Sequence, residues 1–525
     1  MRRFLALCFS AWFALRCSAE PESDLRPAAE PASAPEPALL PLPTPSAMPP
    51  VAAPPPPSAP TPGPELPSAA ANPTAPTAID GLAPLVPDAA DEATPAPELL
   101  ATAREVFVLD KPSASGKKLG YLRAGARVVR SATPAGFDGC PGGYYGVAPE
   151  GYVCAGPFAR IDLDHPLARL GRVQPDRSAP LPYVYARSGP IAPNYYTRLP
   201  DEADLRRAEP EFRKRSLGIR GRNFPLTAGV VPEELANGRS TPAPYGRYEP
   251  STLTAGRALP DSSFALLESF AHGGREYALS ADYLLLAGER LQPIRPSTFR
   301  GLSLDGSDLP VAFVMQRGAQ LYSGHPERGL RIARALEHRE ALPLSGRQAR
   351  LGATSFREVT GGDWLREDGL LVVERPAEMP SFARGDTNWV WVSIRRQTLV
   401  AFRGAIPVYV TLVSTGSDGA GDPKTSRSTV QGQFRIHTKH VTGRMDSDDP
   451  EDSYDHRDVP WVAYFSEGYA FHAAYWHDSF GTPKSHGCIN LSPADARWLF
   501  QWTEPAVPLR WHGAIGFGTR VVVAD

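Results

Sequence analysis

The alternation of apolar and polar positions along this chain describes short strands almost everywhere and a helix in very few places. Trp389-Val390-Trp391-Val392-Ser393-Ile394 alternates as a half-buried strand does, and Thr398 to Phe402 continues after a short turn. Val408 to Thr415 gives a third strand ending at Gly416, Ser428 to Ile436 follows a polar loop, and Thr519 to Val523 closes the chain as a strand. Ser492 to Trp502 carries the one convincing helical spacing, with Pro493 at its start and Ala494, Ala496, Trp498 and Leu499 on one side. Upstream, Val106 to Leu109, Gly120 to Leu122, Ala126 to Val129, Tyr144 to Val147 and Gly151 to Cys154 are β-type runs divided by glycine and proline turns. Strands at such close spacing predict a small barrel over residues 103–160. Val311 to Glu374 repeats that order, with Val311-Ala312-Phe313-Val314 first and Gly369 to Val373 last, so 311–376 is a candidate second barrel. Residues 161–310 are least informative. Asp201 to Arg215 predicts one short charged helix, Phe264 to Leu267 and Tyr277 to Leu286 predict strands, and the rest is expected to be a largely irregular connection wrapped on neighbouring domains. The fold class is therefore mainly β.

Composition changes this picture at the N-terminus. The stretch from Glu20 to Leu100 holds 24 of the 58 prolines among alanine and serine, and cannot bury enough apolar surface to offset its ordering entropy. It is expected to be a disordered tether with polyproline II character, its ends on the order of 50 Å apart as a flexible coil. Before it, Arg2-Arg3, the apolar run Phe4 to Leu15 and the small-residue exit Cys17-Ser18-Ala19 read as an export signal over residues 1–19. The alternative fate of Cys17 is lipidation, for which Arg16 is a poor neighbour. A net charge of −2 and the absence of a basic run give no support to a nucleic-acid partner. The acidic tract Asp446 to Asp455 reads as a solvated loop; the calcium alternative lacks the glycine that an EF-hand loop needs.

Five cysteines add the chemistry. Cys8 and Cys17 lie in or beside the leader, and in an oxidising compartment Cys140 and Cys154 are expected to pair. That leaves Cys488 as an unpaired thiol, within Ser485-His486-Gly487-Cys488-Ile489-Asn490 and downstream of His472. Thiolate is the reactive form of cysteine and an imidazole from the loop before it favours that form, so these are the parts of an activated nucleophile. His472, His477, Asp478, His486 and Cys488 are also possible zinc ligands, but neither a CxxC pair nor an HExxH helix accompanies them. No glycine-rich phosphate loop or nucleotide fingerprint is present, and no cofactor or metal is called for.

His472, the Ser485-His486-Gly487-Cys488 run and Asn490, with Tyr475-Trp476-His477-Asp478, Phe480-Gly481 and Pro483 between them, resemble the signature of the L,D-transpeptidases. These are YkuD-like cysteine enzymes that cross-link bacterial peptidoglycan. The resemblance spans 387–525 and implies a β-sandwich or barrel catalytic domain with one short helix. The 103–160 pattern resembles a bacterial Src-homology-3-like module, for which wall-ligand binding is the usual inference and an inert spacer the alternative. By resemblance, Cys488 attacks the third residue of a donor stem peptide, expels the terminal D-residue, and passes the acyl group to an amine on a neighbouring stem. His472 matches the base, with His477 as a rival; Ala473 stands where the family often has glycine or serine, and its carbonyl orients the imidazole all the same. His486 shapes the loop or raises the thiolate fraction, and Gly487 and Cys488 offer N–H groups for an oxyanion hole. Ser485 and Asn490 read as loop-bracing hydrogen bonders, and Phe471, Tyr464 and Trp476 are candidates for the groove or for core. On the same thioester, water as acceptor gives an L,D-carboxypeptidase or cross-link hydrolase, and a protein amine gives attachment of envelope proteins to the wall. Outside the enzyme class stands a non-catalytic wall-binding protein. The expected location is the bacterial periplasm or cell envelope, reached by export and tethered to the membrane if Cys17 is lipidated.

Overall fold

The computed structural model describes residues 96–525 apart from 211–225, 227, 244–251 and 448–452. The leader and almost all of the proline-rich stretch lie outside the described residues. Those that are described belong to one unit, Ala89–Asp525, and their strands fall into four sheets.

The sheet at the centre of the C-terminal part is built on Asn388–Ser393, Thr398–Arg403 and Ile406–Leu412, an antiparallel meander, with Arg520–Ala524 parallel to its first strand. The alternation at Trp389 to Ser393 predicts one buried face, yet the strand is covered on both. Val390 and Val392 belong to a core shared with Trp461, Phe471 and Ile489. Trp389 faces the opposite core with Val400, Phe402, Val311 and Phe313, stacks on Phe402 at 4.5 Å, and donates its indole N–H to Gly404 O at 2.8 Å. Aromatic residues suit this position because they bring much apolar area and one polar handle.

The helix forms where the spacing predicts it, over Pro493–Trp502. Ser492 caps it by accepting from the Asp495 N–H. Asp495 is buried beneath Tyr409 and Thr411, which donate their hydroxyls to it at 2.6 and 2.5 Å. At the other end the fully buried Lys439 donates to the Phe500 and Thr503 carbonyls, satisfying acceptors that a helix terminus leaves open.

Residues 161–310 depart from the expected irregular connection. They carry, among others, the strands Val184–Ser188, Ser263–His272, Arg275–Ser280 and Leu285–Ala287, and a helix over Glu202–Ala208 with a capping box between Asp201 and Asp204. Ser263–His272 is buried along nearly its whole length. A strand covered on both faces loses the period-2 pattern by which strands are read from sequence. The acidic tract likewise departs from a solvated loop at its ends, since Asp446 pairs with Asp455 across the hairpin and Asp455 is buried against Arg444 and Arg457; its middle, 448–452, lies outside the described residues.

Residues 311–373 form a separate seven-stranded sheet in which Val311–Val314 pairs with both Ala341–Leu351 and Leu370–Val373. The N-terminal strands behave differently. Cys140 and Cys154 are disulfide-bonded there, but Lys118–Leu122 joins a second sheet of the C-terminal part, distinct from the one on Asn388–Ser393, with Gly120 pairing with Ala514 and Tyr121 with Gly513. Leu99, Val108, Leu122 and Val153 share one core with Trp461 and Trp511. A Cβ at Gly120 would stand 2.2 Å from Gly513 O, so the junction closes only around glycine. Gly120→Val is expected to destabilise the protein by about 1–3 kcal/mol, read as a lower midpoint in urea unfolding; an unchanged midpoint contradicts this fusion of the two parts.

Candidate active site

Tyr469–Ala473 and Ile489–Leu491 run parallel and adjacent, with Phe471 opposite Ile489, His472 opposite Asn490, and Ala473 opposite Leu491. Parallel neighbours cannot be joined by a tight turn, because the chain must return to the starting end before it can pair. The spacing from His472 to Cys488 is the length of that crossover. His472 therefore sits within a strand rather than in the expected loop, and Cys488 occupies the bend immediately before the returning strand. Phe471 is core.

His472 is 2% exposed. Its Nδ1 lies 3.3 Å from Ala473 O, which places the ring proton on Nδ1 as donor and leaves Nε2 as the basic nitrogen. Burial lowers its pKa to about 4, with the Ala473 carbonyl acting in the opposite sense. Cys488 is a half-buried free thiol. Desolvation pushes its pKa up, partly offset by the Ala470 N–H directed at the sulfur, and Sγ points to Gly468 O at 3.6 Å. No hydrogen bond joins His472 to Cys488 among the described residues. Both shifts favour neutral imidazole and neutral thiol over an ion pair, because an ion pair would carry two charges into a poorly solvated site.

The crossover is fastened at both ends. Ser485 Oγ accepts from the Gly487 N–H at 3.1 Å and donates to the Cys488 carbonyl, and Thr429 donates to Gly487 O at 2.7 Å. Gly487 has φ +125°, and a Cβ there would come 2.8 Å from the Tyr469 ring, so glycine is required. Its N–H is committed to Ser485, which leaves Cys488 N–H alone of the two expected oxyanion donors. Asn490 holds Ser414 through reciprocal main-chain bonds of 2.9 Å, and its carboxamide lies 3.1 Å from His477 Nε2. His477 Nδ1 accepts from the Ser479 N–H at 3.2 Å, and its Nε2 faces the Asn490 amide nitrogen. Both nitrogens of His477 thus have polar partners. Arg339 and Ser297, from outside the motif, bind Asp478 midway along the crossover, and Phe299 stacks on Phe480 at 5.9 Å.

A column of rings covers the site. His472 stacks on Trp476 at 5.7 Å, Trp476 on His456 at 4.4 Å, His456 on Tyr454 at 5.4 Å, and Tyr454 on the exposed His486 at 5.1 Å. Ser263 fixes His456 through Nδ1 at 3.0 Å. Sequence reasoning missed His456 and Tyr454; their signal was i, i+2 placement on the strand Tyr454–Ser466. Tyr464 packs with Met445 and Cys488 on the cluster of Val459, Val462 and Ala470. Among the described residues no three His, Cys, Asp or Glu side chains converge to hold a metal.

Residues 387–523 match the family described as L,D-transpeptidase catalytic domain, YkuD. YciB of Bacillus subtilis (strain 168), provisionally named an L,D-transpeptidase, is 25% identical over 168 residues, covering 27% of this chain and 70% of that protein. Among solved structures, an Enterococcus faecium L,D-transpeptidase mutant is 19% identical over 26% of this chain, with a TM-score of 0.21; this chain spans 50% of its length. L,D-transpeptidase 3 of Mycobacterium tuberculosis, in complex with a faropenem-derived adduct, is 19% identical over 35% of this chain and 78% of that one, with a TM-score of 0.22.

The neutral pair sets a pH dependence. A thiol held above its ordinary value of 9.0 is alkylated slowly at neutral pH. Iodoacetamide labelling of Cys488, followed by mass spectrometry, is expected to rise with a midpoint above 9.0; a midpoint below neutrality contradicts the neutral resting pair.

Proposed function

We propose that the L,D-transpeptidase catalytic domain at residues 387–523 forms cross-links between the third residues of peptidoglycan stem peptides through a thioester on Cys488. The reading is supported above all by one observation: the Ala473 carbonyl fixes His472 with Nε2 as the basic nitrogen, on the strand that pairs with the one following Cys488. On substrate binding, the Cys488 proton passes to His472 Nε2 as sulfur attacks the carbonyl of the third residue. The Cys488 N–H is the donor available to the developing oxyanion. Collapse breaks the peptide bond, and the proton on His472 goes to the departing amine of the terminal D-residue. An acceptor amine then attacks the thioester and gives a proton back through His472, so that amide bond and free thiol are restored. His486, at the outer end of the ring column, and Trp476, next to His472 within it, border the substrate.

Water in place of the amine gives carboxypeptidase or hydrolase activity from the same intermediate, and a protein amine gives attachment to the wall. The leader read at residues 1–19 and the tether to residue 100 suit a substrate outside the cytoplasm.

Incubation of the full chain with disaccharide-tetrapeptides is expected to give linked dimers by mass spectrometry. Cys488→Ala is expected to abolish them, and His472→Ala to lower acylation by about 10²–10⁴-fold. Tripeptides alone favour the carboxypeptidase; products that persist in Cys488→Ala overturn the thioester mechanism.

A further inference from the structure

The hydrogen bond on His472 sets the plane of its ring only loosely. Nδ1 lies 3.3 Å from Ala473 O, beyond the roughly 2.9–3.0 Å at which an N–H and a carbonyl usually settle. The indole of Trp476, stacked 5.7 Å away with the planes 27° apart, supplies a second constraint. Trp476 is not held by burial, since it is 36% exposed. Its position comes from its neighbours: His456 stacks on it at 4.4 Å with the planes 16° apart, and Tyr475 meets it edge-on at 5.0 Å.

Those two neighbours share an anchor that lies outside residues 387–523. Ser263 Oγ is 3.0 Å from His456 Nδ1 and 2.7 Å from the Tyr475 hydroxyl. Ser263 opens the strand Ser263–His272, is buried, and stands at the register position where that strand pairs in parallel with the strand of His456. Tyr185, from the same middle region, packs on Tyr475 at 4.7 Å and donates its hydroxyl to Asp458 O at 2.6 Å. Counting protons orders this chain. Tyr475 is buried, and among the described residues its hydroxyl meets Ser263 alone, so a Ser263 that donated to it would leave the phenol proton unpaired. Burial holds His456 neutral, with a pKa of about 4. Tyr475 therefore donates to Ser263, Ser263 donates to His456 Nδ1, and the His456 proton sits on Nε2.

We propose that Ser263 is a positioning residue for the reaction: by holding His456 and Tyr475 on one hydroxyl it fixes the plane of Trp476, and through that plane the orientation in which His472 Nε2 takes the Cys488 proton. The inference rests on the thioester reading above. It gives residues 161–310 a part in the chemistry, because their sheet meets the active site at a side chain that aligns rings without touching substrate.

Two measurements on the full chain test this, each made on the unaltered protein, Ser263→Ala and Ser263→Thr. In the first, the imidazole and indole signals are followed by NMR. His456 is expected to carry its proton on Nε2; Ser263→Ala is expected to mix its two tautomers and to shift the His472 and Trp476 ring signals, and Ser263→Thr, which keeps the hydroxyl, to restore them. His472 signals that stay in place in Ser263→Ala overturn the proposal. In the second, the rate of Cys488 acylation by a disaccharide-tetrapeptide is measured across substrate concentrations. Ser263→Ala is expected to lower the maximal rate about tenfold with KM within about twofold, as lost orientation without lost substrate contact does, and Ser263→Thr to recover it to within about threefold. A loss that falls on KM, or one that Ser263→Thr does not recover, overturns the proposal. Should Ser263→Ala fail to fold, His456→Phe keeps a ring against Trp476 and deletes the bond to Ser263; the same loss supports the proposal and an unchanged rate overturns it. If no thioester forms in the unaltered protein, the catalytic reading fails while the NMR comparison still decides the positioning.

Discussion

The active site depends on one pairing, the parallel contact between Tyr469–Ala473 and Ile489–Leu491. It brings an imidazole and a thiol that are 16 positions apart in the chain into the same corner of one sheet. It also obliges the chain to make a long crossover, which is held by residues from other segments. Ser414 to Ser417 bind its returning end through main-chain hydrogen bonds, Thr429 and Ser485 lock the bend at Gly487, and Arg339 anchors Asp478 in its middle. Side chains fixed by packing and by neighbouring hydrogen bonds are what catalytic precision requires.

The same enclosure decides the resting charge state. Burial lowers the imidazole and raises the thiol, and both shifts oppose an ion pair. A thiol kept in this way is protected from adventitious alkylation and oxidation, because those reactions follow thiolate content and exposure. On the proposed thioester route, the proton transfer that activates the thiol coincides with substrate binding, when the developing negative charge moves from sulfur to a carbonyl oxygen facing an amide donor.

Much of the site was legible in the sequence because its members are local. His472, Ser485, His486, Gly487, Cys488 and Asn490 all fall within one short stretch, and the structure gathers them. The directions in which burial moves thiol and imidazole were not legible, since residue types alone carry no information on desolvation. Nor were the contacts made by distant segments: Tyr121 and His440 are 319 positions apart, and Arg339 and Asp478 are 139 apart. The mainly β class followed from alternation, and the helix after Ser492 from its proline and spacing. Between residues 161 and 310 the runs read at Phe264 to Leu267 and Tyr277 to Leu286 fall on Ser263–His272, Arg275–Ser280 and Leu285–Ala287, while Val184–Ser188 went unread.

The protonation state of His472 is the point on which nucleophile, base and enclosure all converge. The most direct test is the ¹⁵N spectrum of the imidazoles in the full chain, with His472 assigned by its loss in His472→Ala. The account predicts a neutral ring between pH 6 and 8, protonated on Nδ1 and bare on Nε2, consistent with a pKa near 4. An imidazolium at pH 7, or a proton on Nε2, would contradict it.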